Sequence, residues 1–254
     1  SKLNKSIQEA KPSIIFHMAA QPLVRQSYID PIETFTTNIF GTINVFESVK
    51  NVETVEAIIN ITTDKCYENQ EHNKPYRETD MLGGYDPYSS SKACSEIITS
   101  AYRNSFLSLI GKKLASVRAG NVIGGGDWAK DRLIPDFFRS IDNNKILSVR
   151  SPQAVRPWQH VLDPLSGYLM LAEKLVVNGD NFADAWNFGP EQSDAKTVSW
   201  VLEKLFAKFS NLKWEATPTK QPHEASLLKL DISKAKSKLG WAPRWSLNTA
   251  IDNT

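Results

Sequence analysis

No glycine precedes Gly41 in this 254-residue chain, and all twelve fall from that position onward. A glycine-rich phosphate loop therefore has no place at the start of the sequence. Cysteine is scarce: Cys66 and Cys94 stand alone, with no metal-ligand spacing, which excludes a disulfide framework and favours a reducing compartment. Neither sign of charge dominates, since 30 Lys+Arg against 28 Asp+Glu gives a formal net charge of +2. Composition thus argues against a basic nucleic-acid-binding protein. No apolar run nears the ~18 residues of a membrane helix, and the opening Ser1 to Ser13 lacks a signal-peptide core. The expectation is a soluble cytoplasmic protein with neither a membrane nor a nucleic-acid partner. Tryptophan is absent before Trp128, whereas six of the seven tyrosines fall before residue 103. That shift suggests two regions with different packing, which unequal cores would explain without any functional meaning.

What is present alternates. Ser13 to His17 is a short apolar run that reads as a buried strand. Ile32 to Val49 carries apolar residues at helical spacing, and Val55 to Ile61 is a β-branched run. Tyr88 to Leu107 then reads as helix and Leu114 to Val117 as strand. This order predicts an α/β fold with a parallel sheet covered by helices on both faces. After Gly120 the pattern loosens into a Gly124 to Gly126 loop, a helix over Leu133 to Ile141 and a polar stretch holding Pro152 and Pro157. Further helices follow at Pro164 to Val176 and Thr197 to Phe209, strands at Trp186 to Phe188 and Lys213 to Ala216, and a short segment from Ile232 to Leu239 that ends at Gly240.

Open parallel sheets place their sites at the carboxyl ends of strands. There the second strand runs into Thr62-Thr63-Asp64-Lys65, a hydroxyl, carboxyl and amine in succession. Tyr88 and Lys92 stand four apart, on one helix face. An adjacent ammonium would lower the tyrosine pKa from ~10 and let it accept a hydroxyl proton. The competing reading is a chance pair on a solvated helix.

The set His17-Met-Ala-Ala20, Thr37-Asn38 with Gly41-Thr42, Thr62-Thr63-Asp64 and Tyr88-x-x-x-Lys92 resembles the extended short-chain dehydrogenase/reductase family. Thr63-Asp64-Lys65, Arg118 to Trp128, Arg132 to Pro135, Arg156 to His160, Pro222-His223-Glu224, Leu230-Asp231 and Leu239-Gly-Trp241 resemble its cytidine-linked 4,6-dehydratase branch. The resemblance implies a Rossmann-type doubly wound sheet with a smaller substrate domain. It also implies NAD as cofactor, CDP-glucose as substrate, and a role in deoxysugar synthesis of the kind that feeds lipopolysaccharide O-antigen. Residues 1–120 and 153–188 would form the NAD-binding domain, and 121–152 with 189–254 the nucleotide-sugar domain. By the same resemblance Thr63, Asp64, Lys65, Tyr88 and Lys92 are catalytic. Ala19, Ala20, Gln21 and Thr37, with Tyr88 and Lys92, face the cofactor; Asn121, Arg132, Leu133, Arg156 and His223 face the substrate. Asp64 would be the acid and Lys65 the base, which demands a carboxyl that keeps its proton and an amine that loses one. Burial drives both, whereas an ion pair between the two would oppose both. No metal is implied. A homodimer or homotetramer is, through paired helices Ile32 to Val49 and Tyr88 to Leu107.

Competing readings stand beside these. His17 suits a hydrogen-bonded structural role as well as a cofactor contact. Arg132 and Arg156 suit bidentate phosphate contacts or surface salt bridges. Gly124-Gly-Gly126-Asp-Trp-Ala129 formally satisfies a dinucleotide fingerprint, but bulky Trp128 follows and no acidic strand end comes ~20 residues later. A nucleotide-sugar epimerase or reductase would share Tyr88 and Lys92 without needing Asp64-Lys65. A non-catalytic nucleotide-sugar-binding module is the third alternative. Set beside the family pattern, the late first glycine implies a chain that begins midway through its Rossmann domain, with ~70 to 100 residues upstream and weak NAD binding of its own.

Overall fold

The computed structural model describes residues 2–208, 213–217 and 222–254. Its strands are β1 (Ile14–His17), β2 (Ala57–Ile61), β3 (Lys113–Ala119), β4 (Asn121–Ile123), β5 (Leu147–Val149), β6 (Val155–His160), β7 (Ala185–Phe188), β8 (Ala195–Thr197) and β9 (Trp214–Ala216). The helices are α1 (Lys2–Ala10), α2 (Val24–Ile29), α3 (Pro31–Phe35), α4 (Gly41–Val49), α5 (Pro87–Tyr102), α6 (Leu133–Asp142), α7 (Leu162–Asn178), α8 (Val198–Phe206) and α9 (Leu247–Asp252).

A four-stranded parallel sheet of order β1-β2-β3-β7 is the frame. The sequence of β2, Ala-Ile-Ile-Asn-Ile, is apolar almost throughout because both faces are covered. Ile58 packs with Val45, Phe46, Leu107 and Leu114 under α4 and α5. Its neighbours Ala57 and Ile59 turn the other way, against Leu171 and Leu175 of α7. The alternation is the two-residue period of a strand used on both sides. On α7, Gly167 permits the close approach: a Cβ there would lie 2.2 Å from the Phe188 ring.

The helices begin where local chemistry allows. Asp86 precedes α5 and its carboxylate accepts from the Ser89 N–H at 2.9 Å, with Pro87 as the first helical residue. Asp30 caps α3 in the same way, accepting from the Glu33 N–H at 2.8 Å. The expected helix over Ile32 to Val49 is present, with one π turn at Thr36–Phe40 joining α3 to α4.

Beyond Gly120 the second region gathers β4-β6-β8, the β5-β9 pair, α6, α8 and α9 around Phe137, Trp158, Val201, Leu205 and Leu247. Strand β6 corrects the sequence reading, which leaves Pro152 to Pro157 as a polar stretch. Pro157 sits inside β6, opposite Ala195 of the short β8; proline is a poor strand signal because it lacks the ladder donor. Strand β5 also forms where the reading finds none, aligned with β9. The C-terminal end of the expected Thr197 to Phe209 helix, Phe209, lies outside the described residues. No helix among the described residues is long and apolar enough to cross a membrane.

Candidate active site

Carboxyl ends of the central strands, the start of α5 and loops of the second region enclose a cavity of about 780 Å³, within the ~300–1,000 Å³ usual for small-molecule sites. Its wall on the sheet side is made by β2 and α5. Extended Thr63 ends the strand and its hydroxyl donates to Asp64 Oδ1 at 3.0 Å. Asp64 is 2% exposed, and its Oδ2 is buried without a hydrogen-bond partner among the described residues. Burial pushes this carboxyl up, against the lowering influence of Lys65, Thr63 and Arg156. That is the direction an acid at neutral pH needs.

Lys65 does not pair with Asp64. Its ammonium lies 3.6 Å from Glu224 Oε1, on the loop that includes Pro222 and His223. Tyr88, in the first turn of α5, is buried, and its backbone N–H donates to Ser27 Oγ at 3.1 Å. Here one expectation fails. Burial raises the phenol above its ordinary value, only partly offset by a hydrogen bond with Thr63. Lys92 is not among the groups that lower it; its ammonium donates to the Ile61 carbonyl at 3.1 Å. Burial pushes that ammonium down to about 8, against the charge of Glu96.

Beneath this wall lies a buried network. Glu96 accepts from Thr62 and, at 2.7 Å, from Ser116, and pairs with Arg118 at 2.8 Å. Arg118 in turn donates to Tyr67 Oη at 2.8 Å, and Tyr67 donates to Asn187 Oδ1 at 2.7 Å. Helix α5, strands β3 and β7 and the segment that follows β2 are tied together behind Thr63 and Lys92. The sequence reading missed Glu96, although its spacing, four after Lys92 and eight after Tyr88, places it on their helix face.

The opposite wall is cationic. Arg156 of β6 is 5% exposed, and its Nη1 donates to the Val155 carbonyl at 3.0 Å. Arg132, half exposed, pairs with Asp127 at 3.0 Å, and Arg150 with Asp131 at 3.2 Å. Asn121 and Leu133 complete the expected set on this wall. His223 falls outside it: exposed, it packs against Tyr85 with ring centroids 4.1 Å apart. Arg150 and the ion-paired role of Glu224 were not anticipated; the dense basic spacing Arg150, Arg156 was the available signal.

Ala19, Ala20, Gln21 and Thr37 flank the cavity without lining it. Gln21 is an anchor: its N–H donates to Asn38 Oδ1 at 2.8 Å and its amide to Thr34 Oγ1 at 2.8 Å. Thr37 is half-buried beside Asn38, which makes the link to Ser91 of α5 at 2.8 Å. His17 lies 3.2 Å from Thr42 Oγ1, and burial, with Lys92 nearby, pushes its pKa down to about 4, so it is neutral near neutral pH. The Gly124 to Gly126 segment forms a turn after β4, with Gly126 at φ +82°, and not the start of a helix. Among the described residues no group of His, Cys, Asp and Glu could hold a metal.

A parallel sheet with tyrosine, lysine and a buried carboxyl at its carboxyl edge, facing an arginine wall, defines an α/β protein of the Rossmann type built to handle an anionic small molecule. The chain belongs to the GDP-mannose 4,6 dehydratase family, whose model matches residues 1–254. It is 54% identical to the CDP-glucose 4,6-dehydratase of Salmonella typhimurium over 98% of its own length and 71% of that relative's. Among solved structures, the UDP-glucose 4-epimerase of Thermotoga maritima with UDP-glucose superposes with a TM-score of 0.86 at 24% identity, covering 100% of this chain and 79% of that one. The dTDP-glucose 4,6-dehydratase of Bacillus anthracis in complex with NAD gives 0.80 at 22% identity, covering 100% and 74%.

Proposed function

We propose that this chain converts CDP-glucose to CDP-4-keto-6-deoxyglucose with NAD as its cofactor. The observation that carries the reading is Asp64, a buried carboxyl with an oxygen unpartnered among the described residues, lining the same cavity as Tyr88 and Lys65 just past the end of β2; the likeness to the Salmonella enzyme supplies the base and sugar. NAD fits the residues present. Lys92 is 6% exposed and spends one hydrogen bond, on Ile61, among the described residues, which leaves donors for a ribose hydroxyl. Lys92 and Tyr88 would hold that end of the cofactor, flanked by Ala19, Ala20, Gln21 and Thr37. When bound, NAD supplies the acceptor for the C4 hydride and the donor that returns it at C6.

The chain's own groups manage protons. Loss of the C4 hydroxyl proton, directed to Tyr88, leaves a ketone that acidifies C5. Lys65, as the free amine, removes the C5 proton, and the electron pair left on C5 expels the C6 hydroxyl. Asp64 protonates that oxygen, so water leaves, and the C5 proton returns from Lys65 to the product. The proton count closes: the C4 proton is made up in the water, and Thr63, bonded to both Tyr88 and Asp64, connects the two groups. Because burial keeps the Tyr88 phenol neutral, it can accept only as it passes its own proton on. Arg156, with Asn121, Arg132 and Leu133, would bind the nucleotide sugar, the guanidinium planes matching a diphosphate, and His223 would edge the same site.

The reading extends to domains, partners and place. Residues 1–120 and 153–188 would serve the cofactor and 121–152 with 189–254 the nucleotide sugar. Exposed Ile32, Phe40, Ile97 and Phe106 on the α3 to α5 face are apolar surface suited to an isologous dimer or a tetramer, in the cytoplasm. Product analysis tests the activity: a 4-keto-6-deoxy sugar changes its absorbance in alkali. A 4-epimer as sole product would replace the reading with an epimerase.

A further inference from the structure

Lys65 can take the C5 proton only from a fixed place on the cavity wall, so whatever faces its ammonium governs where it acts. Among the described residues one carboxylate pairs with it: Glu224 Oε1 at 3.6 Å, brought from a loop more than 150 residues away. Both side chains line the main cavity and both are largely shielded, at 16% and 29% exposure. Asp64, next in sequence, is no substitute counter-ion, because its own carboxyl is buried and unpaired at Oδ2. Around the pair stand Arg156 from β6, Arg150 after β5, Arg25 and Tyr28 of α2, and His223, while Glu71 holds the neighbouring backbone by accepting from the Leu227 N–H at 2.8 Å. Burial alone would raise the Glu224 carboxyl, yet Lys65, Arg156 and Arg150 hold it below the ordinary carboxylate value. It is therefore charged near neutral pH.

We propose that Glu224 is a positioning residue for Lys65: its carboxylate, 3.6 Å from the ammonium, holds that side chain at the cavity wall as its counter-ion. This rests on Lys65 being the base. Removing the carboxylate takes away that counter-ion and leaves the Lys65 side chain free to leave the wall.

Competitive acetylation of the full chain, read lysine by lysine by mass spectrometry, tests this without substrate or cofactor. Glu224→Gln, and Glu224→Ala as a second neutral variant, should raise Lys65 labelling at fixed mildly alkaline pH about fivefold, with Lys74 and Lys229 unchanged. Glu224→Asp should fall back toward the parent value. Equal Lys65 labelling in parent and neutral variants, or an Asp variant that behaves as the Gln one, overturns the proposal. In turnover, C5 exchange into solvent deuterium at saturating substrate should fall in Glu224→Gln and recover in Glu224→Asp. A C4 epimer as the parent chain's sole product would refute the dehydratase reading, while the labelling result would still decide the role of Glu224.

Discussion

The two walls of the cavity are built on different principles. The sheet wall consists of regular elements locked by burial: Thr63, Asp64, Tyr88 and Lys92 are all under a tenth exposed and backed by the Glu96-Arg118 network. Its chemistry comes from desolvation, which pushes Asp64 up and Lys92 down. The arginine wall comes from strand ends and loops, and it works by charge: Arg132, Arg150 and Glu224 are partly exposed and already ion-paired, with Arg156 alone buried. Where water is excluded, proton affinity is tunable; where it is not, charges bind and exchange partners. A dehydration that must hold one proton and release another belongs on the first wall, and diphosphate recognition on the second.

Substitutions should separate the walls by kind of effect as well as size. Lys65→Met should lower C5 exchange by ~10²–10⁴-fold while C4 oxidation remains measurable; normal exchange would remove Lys65 from the role. Glu96→Ala leaves Arg118 buried without its partner and should cost ~3–5 kcal/mol in urea unfolding. A cost below ~1 kcal/mol, the range of exposed pairs, would show the sheet wall is not held by that network. Arg156→Ala should weaken binding of CDP about 10- to 100-fold, the loss of ~1.5–3 kcal/mol for a charged hydrogen bond. It should leave C5 exchange at saturation nearly intact. Arg132→Ala, exposed and paired with Asp127, should change binding least, by ~0–1 kcal/mol; an effect equal to that of Arg156 would erase the distinction drawn within the arginine wall.

pH sharpens the same contrast. Asp64 acts as an acid only while protonated, so its raised carboxyl extends elimination upward from the ordinary carboxylate range, and the rate falls as pH rises through the raised value. Lys92 holds a ribose as an ammonium below about 8 and loses that charge above it. NAD affinity should therefore decline from about pH 8 upward, measured by calorimetry, and the decline should vanish in Lys92→Met.

The sheet wall was legible in the sequence because its signals are local. A β-branched run covered on both faces, an i, i+4 pair after Asp86-Pro87 and consecutive Thr63-Asp64-Lys65 each declare themselves within a few residues. The arginine wall was legible only in part. Pro157 hid β6, and β5 is too short for periodicity to mark. The Lys65-Glu224 contact spans most of the chain, so no local pattern announces it. Desolvation was equally invisible where it reversed an expectation: spacing puts Tyr88 and Lys92 on one face, but burial of Tyr88 outweighs its neighbours and the phenol rises.

The central claim is that Asp64 and Lys65 turn a C4 oxidation into elimination across C5 and C6. Incubating the full chain with NAD and CDP-glucose in deuterium oxide, and reading the product by proton NMR, tests it most directly. The account predicts a 4-keto-6-deoxy sugar carrying one solvent deuterium at C5. A C4 epimer with its C5 hydrogen and C6 hydroxyl intact would contradict it.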